Sequence, residues 1–261
     1  MLNDFELIKH SFDRKITIIP VSDVHLGAIE HCKKQWTDFC KQVEESPDTY
    51  IILGGDLINN SIRTSVANPF DETMRPREQK KLMVQHLMPI RHKILCAVSG
   101  NHERRSMKDA DTDITYDIMS KLDLEDLYRE NAAFMKVSCG KRSNGNPECA
   151  YMFCVTHGTG GGIYTGATVN RNERFGNIID GLDCLVVGHT HKGTVSRPSK
   201  IVLDARNGVV SMKSYVVISC VSWLNYGGYA AQKMLLPSQQ ACPQKLILND
   251  SKNNKNIEVH W

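Results

Sequence analysis

Lys15-Ile16-Thr17-Ile18-Ile19-Pro20-Val21-Ser22-Asp23-Val24-His25 is the stretch on which the fold turns. Residues 15–21 are β-branched or apolar at nearly every position, as a buried strand requires, and the run stops abruptly at Ser22-Asp23. The next eighty residues repeat the pattern. Trp36, Phe39, Cys40 and Val43 recur at helical spacing and predict a helix over 32–45, closed by Ser46-Pro47-Asp48. Residues 50–53 read as a second strand ending at Gly54-Gly55. A helix is expected over 77–88 before Pro89, and a third strand over 93–98 ending at Ser99-Gly100. Strand, helix, strand, helix, strand is the order of parallel βαβ units.

The second half changes character. Helices are expected over 114–122, 125–130 and 171–179. Strands are expected over 134–139 and 151–156, around a turn at 143–147, and over 183–187. Further β-rich runs cover 200–203, 209–220 and 245–248, with 257–259 as a last edge strand. The expected architecture is α/β, with two packed, mixed β-sheets flanked by helices. It is read as one domain over 1–261, with a motif-bearing core at about 15–220 and a β-rich extension and polar tail at 221–261.

Composition narrows the class. At 261 residues and 41% hydrophobic, the chain can fill a sizeable core, which excludes disorder and a disulfide-stapled miniature scaffold. The longest nearly apolar stretch, 215–224, falls well short of the ~20 residues of a membrane span. Residues 1–6 include acids and no apolar h-region. Nine cysteines, an odd number with no C-x-x-C pair, read as free thiols in a reducing compartment and exclude a zinc finger. A cytoplasmic protein with no membrane partner is the expectation. Net charge is only +3, yet residues 61–111 carry ten Lys/Arg against six Asp/Glu, and 186–214 five against one. Such patches attract phosphates, or they are ordinary solvated faces.

Chemistry gathers where strands end. Small residues there are followed directly by metal-capable side chains: Asp23-Val24-His25, Gly55-Asp56, Gly100-Asn101-His102, His157-Gly158 and Gly188-His189-Thr190-His191. In open α/β sheets, sites form outside the carboxyl ends of strands. From this composition, G-N-H is expected by chance ~0.04 times and G-H-x-H ~0.03 times, so their joint occurrence in order is a strong signal. His10, His31, His86, His92 and His260 fall outside the pattern and read as ordinary structural histidines.

With these motifs the sequence resembles the calcineurin-like metallophosphoesterase superfamily, whose pattern runs D-x-H, G-D, G-N-H-[D/E], H, G-H-x-H. The resemblance implies a four-layered α/β/β/α sandwich. It also implies a binuclear centre of divalent ions, Mn²⁺ foremost, with Fe, Zn or Ni as alternatives. Asp23, His25, Asp56 and His191 would hold one ion; Asn101, His157 and His189 would hold the other, with Asp56 shared. Mixed imidazole, carboxylate and amide ligation suits these ions better than Mg²⁺. Two such ions can acidify a bridging water for in-line attack at phosphorus. The resemblance gives His102 the task of stabilising or protonating the leaving-group oxygen. Glu103, Arg104 and Arg105 stand beside it as supporting or phosphate-contacting groups, or as exposed loop charges.

Departures within the family narrow the substrate. Its Ser/Thr protein phosphatases carry G-D-x-V-D-R-G, whereas this chain reads Gly55-Asp56-Leu57-Ile58-Asn59-Asn60 and keeps the final His191. The reading is a phosphodiesterase or nuclease acting on nucleic acid (DNA or RNA) or a nucleotide. A phosphomonoesterase or nucleotide-lipid pyrophosphatase of the same fold is the alternative. A non-catalytic metal-binding scaffold or a nucleic-acid-binding module would be the alternative of another class. Tyr164, in Gly160-Gly161-Gly162-Ile163-Tyr164, is a candidate substrate contact, and the cluster from Trp223 to Tyr229 is either pocket or core.

Overall fold

The computed structural model describes residues 4–65, 68–142 and 144–261, apart from the Tyr229 side chain. Ser143 of the expected turn and Met1–Asn3 of the N-terminal stretch lie outside them. In chain order the elements begin with β1 (Ile8–Ser11), β2 (Ile16–Val21), α1 (Lys33–Glu45), β3 (Thr49–Leu53), α2 (Pro76–Leu87) and β4 (Ile94–Val98). Next come α3 (Glu103–Ala110), α4 (Ile114–Lys121), β5 (Tyr128–Arg129), β6 (Ala132–Lys141), β7 (Pro147–Thr156), α5 (Thr165–Asn177) and β8 (Cys184–Val187). The chain ends with β9 (Thr194–Ser196), β10 (Ser199–Asp204), β11 (Val209–Ser214), β12 (Val216–Ser219), α6 (Gly228–Gln232), β13 (Lys245–Leu248) and β14 (Ile257–His260).

Two six-stranded mixed sheets result. One has the order β14-β13-β2-β3-β4-β5, with β2 to β5 parallel; the other has the order β1-β6-β7-β8-β12-β9, with β7, β8 and β12 parallel. Strand periodicity sorts their side chains. Ile16, Ile18 and Ile52 face Val137, Phe153, Val186 and Ile218 in a core between the sheets. Val21, Ile51 and Leu53 turn the other way, onto Trp36, Met83 and Ile118 of α1, α2 and α4. On the far side of the second sheet, Leu185, Val187 and Val217 pack with Tyr215, and Tyr215 lies against α5 at Gly176. A Cβ at Gly176 would come within 2.6 Å of the Tyr215 ring, so only glycine lets helix and ring meet. Helices, sheet, sheet, helix is thus the sequence of layers. At ~25 cal/mol per Å² of apolar area removed from water, these clusters supply the main favourable contribution to folding.

The structure corrects three expectations. Residues 125–130 form one 3₁₀ turn and then β5, because Tyr128 is drawn into the core, where its hydroxyl donates to Asp113 Oδ2 at 2.7 Å. The run 209–220 breaks at Tyr215. Its first half leaves as the β10–β11 hairpin and only Val216–Ser219, buried throughout, enters the sheet. Helix α5 starts six residues before position 171.

Candidate metal centre

Every motif sits just past the carboxyl end of a parallel strand. Asp23 and His25 follow β2, Asp56 follows β3, Asn101 and His102 follow β4, His157 follows β7, and His189 and His191 follow β8. To turn these side chains inward the backbone adopts the left-handed region at Asp23 (φ 55°), His25 (47°), Asp56 (51°), His189 (70°) and His191 (58°). Non-glycine residues rarely sit there, and clusters of them mark places where the surroundings over-determine the conformation. The surroundings do so here: Asp23 N donates to Gly55 O at 3.0 Å, His25 N to Asp56 O at 3.0 Å, and Trp223 N to Asp23 O at 3.0 Å. Gly100 completes the fit, since a Cβ there would lie 2.1 Å from Asp56 Oδ1.

The side chains converge. Asp56 Oδ2 lies 3.3 Å from His157 Nε2 and 3.8 Å from the Nε2 atoms of both His25 and His102. His191 Nε2 is 3.2 Å from Asp23 Oδ1 and 3.2 Å from His25 Nε2. Asn101 Oδ1 sits between His157 Nε2 (3.0 Å) and His189 Nδ1 (2.7 Å). Three sets of ligand-capable atoms result, each set within 4.8 Å of one another: Asp23, His25 and His191; His25, Asp56 and His102; Asp56, His157 and His189.

Outer contacts fix which nitrogen faces the centre. His157 Nδ1 donates to Gly54 O (2.8 Å), His25 Nδ1 to Asn59 Oδ1 (3.2 Å) and His102 Nδ1 to Asn59 O (2.6 Å), which turns each Nε2 inward. This is how proteins orient metal-binding imidazoles. Asp23 Oδ1 is buried and accepts no hydrogen bond, although His191 Nε2 is close. Burial opposes ionisation of Asp23 and Asp56, yet His191 beside the first, and His157 and His102 beside the second, hold both below the usual carboxylate range, Asp23 at about 2. Burial would also lower His157, but Asp56 and then Asp23 raise it to about 10. Two ionised carboxylates, inward-facing imidazole nitrogens and an orphaned buried oxygen form a donor set that fits divalent cations.

One supporting residue escaped sequence reasoning, and another stood there among open alternatives. Asn59, noted there only as a departure from the phosphatase motif, holds His25 through its side chain and His102 through its backbone oxygen. Its own amide is steadied by Glu72 Oε1 at 3.0 Å. Glu103 is buried and accepts from the N–H groups of Gly100 (3.1 Å), Asp56 (3.0 Å), Leu57 (2.6 Å) and Ile58 (3.1 Å), so one carboxylate fastens the β3 turn to the β4 turn. Burial, then the charge of Asp56, raises it to about 7.

The remaining candidates divide. Arg105 reaches the centre: its Nη2 donates to His102 Nε2 at 2.9 Å and its Nη1 to Asn59 O at 3.1 Å. Arg104 turns away to Glu130 O at 2.8 Å. Tyr164 is exposed on the glycine-rich loop after His157, a loop that the side chains of Lys192 and Arg171 tie down by donating to its carbonyls at Ile163 and Thr159. The aromatic cluster splits, with Trp223 buried against Trp36 and Phe39 and Tyr226 partly exposed. The Tyr229 side chain lies outside the described residues. Outside the motifs, His10 bonds Leu95 O and His31 bonds Val24 O, as structural histidines do.

Among solved structures, the chain is similar to a conserved uncharacterized protein, a predicted phosphoesterase, from Streptococcus pneumoniae TIGR4. Identity is 13% and TM-score 0.39, over 94% of this chain and 87% of that one; a likeness so slight bears no argument. No curated protein matches the chain. The model of the calcineurin-like phosphoesterase family matches residues 16–193, more than half of the chain and every motif-bearing strand end, and the chain therefore belongs to that family of metal-dependent phosphoesterases.

Proposed function

We propose that the protein hydrolyses phosphodiester bonds of nucleic acid or nucleotides with two divalent cations, Mn²⁺ foremost. Asp23, His25, Asp56 and His191 would hold one, and Asn101, His157 and His189 the other, with Asp56 common to both. Bound there, the cations would polarise the phosphoryl group and acidify an attacking water. The observation that carries this reading is the position of Asp56 Oδ2, within 3.8 Å of His25, His102 and His157 together.

The chain's own groups supply the rest. His102 is fixed with Nδ1–H on Asn59 O, so Nε2 is the atom that meets a leaving group. Arg105 now donates to that Nε2. A phosphoryl oxygen would draw the guanidinium to itself and free Nε2 to take up a proton from solvent, which the resulting imidazolium would donate to the departing oxygen, a contribution of ~10²–10⁴-fold. Asn59-Asn60 replaces the acid and arginine of the protein phosphatases, which favours a diester over a phosphoprotein. The nine free thiols, eight of them buried, support a cytoplasmic setting, and among the described residues no helix is long and apolar enough to cross a membrane.

The test is a Mn²⁺-supplemented panel of phosphomonoester, simple diester, cyclic nucleotide, and single- and double-stranded nucleic acids. Diester turnover that disappears in Asp56→Asn is expected. A preference for the monoester would overturn the substrate class.

A further inference from the structure

A neutral imidazole offers a lone pair from one ring nitrogen only, and the partner of the other nitrogen decides which. At His25 that partner is the Asn59 amide, whose Oδ1 lies 3.2 Å from Nδ1. A primary amide has an accepting end and a donating end of nearly the same shape, and a half-turn about its last bond exchanges them. Turned the other way, Asn59 would offer N–H to Nδ1 and drive the His25 proton onto Nε2. The nitrogen that faces Asp56 and His191 would then have no lone pair to give.

The hydrogen bonds behind Asn59 fix its sense, and they start from backbone groups that cannot turn. Gln79, buried on α2, accepts from Asn60 N at 2.9 Å and donates to Met74 O at 2.9 Å, so its Oε1 and Nε2 are each assigned. Its Nε2 also donates to Glu72 Oε2. Ser61 N donates to Glu72 Oε1 at 2.7 Å. With a donor on each oxygen, the Glu72 carboxylate acts as an acceptor only, and Asn59 Nδ2 donates to it at 3.0 Å. The Ser61 hydroxyl, 3.3 Å from Nδ2, is able to donate or accept and decides nothing. This bracket is pressed against the loop it serves. Thr73 N donates to Gly27 O at 2.8 Å, and a Cβ at Gly27 would come within 2.3 Å of Gln79 Nε2.

Building on the reading of His25 as a metal ligand, and independently of the phosphodiester, we infer that Glu72 is a positioning residue for the metal centre. Held by Gln79 and Ser61, it points the Asn59 amide so that His25 carries its proton on Nδ1 and keeps Nε2 for a cation. Nitrogen-15 spectra of histidine-labelled, metal-free protein at mildly alkaline pH report the tautomer directly. The wild type should show the Nδ1–H form of His25, and Glu72→Ala a mixture of both tautomers. Glu72→Gln should keep the wild-type form, because its Oε1 still meets Ser61 N and Asn59 while its amide nitrogen is set against Gln79 Nε2. Both variants should lower Tm, so a merely structural role would move both spectra alike. On equilibrium dialysis Glu72→Ala should weaken one Mn²⁺ equivalent by about fivefold, below the ~10–100-fold of a direct outer partner. Combining it with Asn59→Ala should weaken that equivalent no further than Asn59→Ala alone. A proton on Nε2 in the wild type, or an unchanged Nδ1–H form in Glu72→Ala, overturns the proposal, and so does an added loss in the double variant. A tautomer that follows Glu72 in a chain that retains no Mn²⁺ would remove the ligand reading of His25 and leave the bracket standing.

Discussion

The two banks of the centre are built differently. On one bank, Asp56 and the β3 and β4 turns are locked by Glu103, which engages four backbone N–H groups while itself buried. On the other, the His189–His191 turn is held by bonds from separate places: its own N–H to Asp23 Oδ2 (2.9 Å), Thr190 to Ser219 (3.1 Å), and the Ser238 hydroxyl to His191 O (2.7 Å). The His191 side chain keeps a third of its surface exposed, against 2% for Asp56. The first bank is a preorganised floor, and the second closes onto it. Substitutions on the floor should therefore reach both cation sites, and those that touch a single residue of the turn only the site that residue serves.

Asp56→Asn makes the largest difference. Loss of an outer partner of a ligand typically weakens metal affinity or activity by ~10–100-fold. Loss of the shared carboxylate should exceed that, lowering diester turnover by well over a hundredfold, with less than two equivalents of Mn²⁺ retained per chain on equilibrium dialysis. Two equivalents held as tightly as by the wild type would abolish the contrast between the banks.

Glu103→Ala comes next. It strands four buried N–H groups, each of which costs ~1–3 kcal/mol when unsatisfied. Partial relaxation still leaves a loss of about 4 kcal/mol or more, a fall in Tm on the order of 10 °C for a chain of this size. Calorimetry should show it, and Mn²⁺ binding should weaken at both sites together. Selective loss of one site would mean that Glu103 braces less than the floor.

pH separates two contributions in the metal-free protein. Glu103 is raised from the ordinary 4.5 to about 7, so between those values the folded state holds a proton that the unfolded chain has lost, and stability falls as pH rises. His157 is raised from 6.5 to about 10, and its contribution, complete below 6.5, is lost as pH climbs to about 10. Up to pH 6.5 the histidines that burial holds low, among them His25, His102 and His189, contribute stability that grows with pH and opposes the Glu103 loss. Tm of chelator-treated protein should thus decline clearly only above about pH 6.5. Added Mn²⁺ should offset the decline more at higher pH, because it competes with the proton on His157. Glu103→Gln should remove the opposing loss in the lower window and leave the upper one.

The same contrast explains what was legible in the sequence. Strands β2, β3, β4 and β8 announce themselves through buried apolar runs, and the motif residues through glycine beside histidine, aspartate or asparagine. Helix α3 gives no such signal, because the one residue it buries is Glu103. Helix α5 buries Thr168, Asn172 and Gly176, so its spacing is helical but its inner face is not apolar. Asn59 went unread in its bracing role, and Glu103 stood among open alternatives, for a related reason. Glu103 takes backbone N–H groups as partners and Asn59 meets His102 through its own backbone oxygen, and backbone groups carry no sequence identity. Side-chain patterns disclose the groups that meet at the centre, while the supports that hold them become visible only when the turns are in place.

Asn59→Ala tests a support that spans two functions. It removes the acceptor on His25 Nδ1 but keeps the backbone oxygen on His102. Mn²⁺ affinity at the His25–His191 site should drop by about tenfold, the low end for such partners, while kcat at saturating metal changes little. A fall in kcat that excess metal does not rescue would show that the two histidines are coupled through this residue.

Ser238→Ala should be the mildest of these changes. Its hydroxyl makes one hydrogen bond to the backbone of the second bank, worth about 0.5–1.5 kcal/mol, and His191 O stays near solvent when that bond is gone. Tm should move by a few degrees at most. The informative readout is the order in which Mn²⁺ dissociates on dilution into chelator. If His191 closes the site, one equivalent should leave faster than in the wild type while the Asp56–His157 equivalent leaves at the same rate. Equal acceleration of both would mean that the turn is part of the floor, and that the binuclear centre opens as a unit.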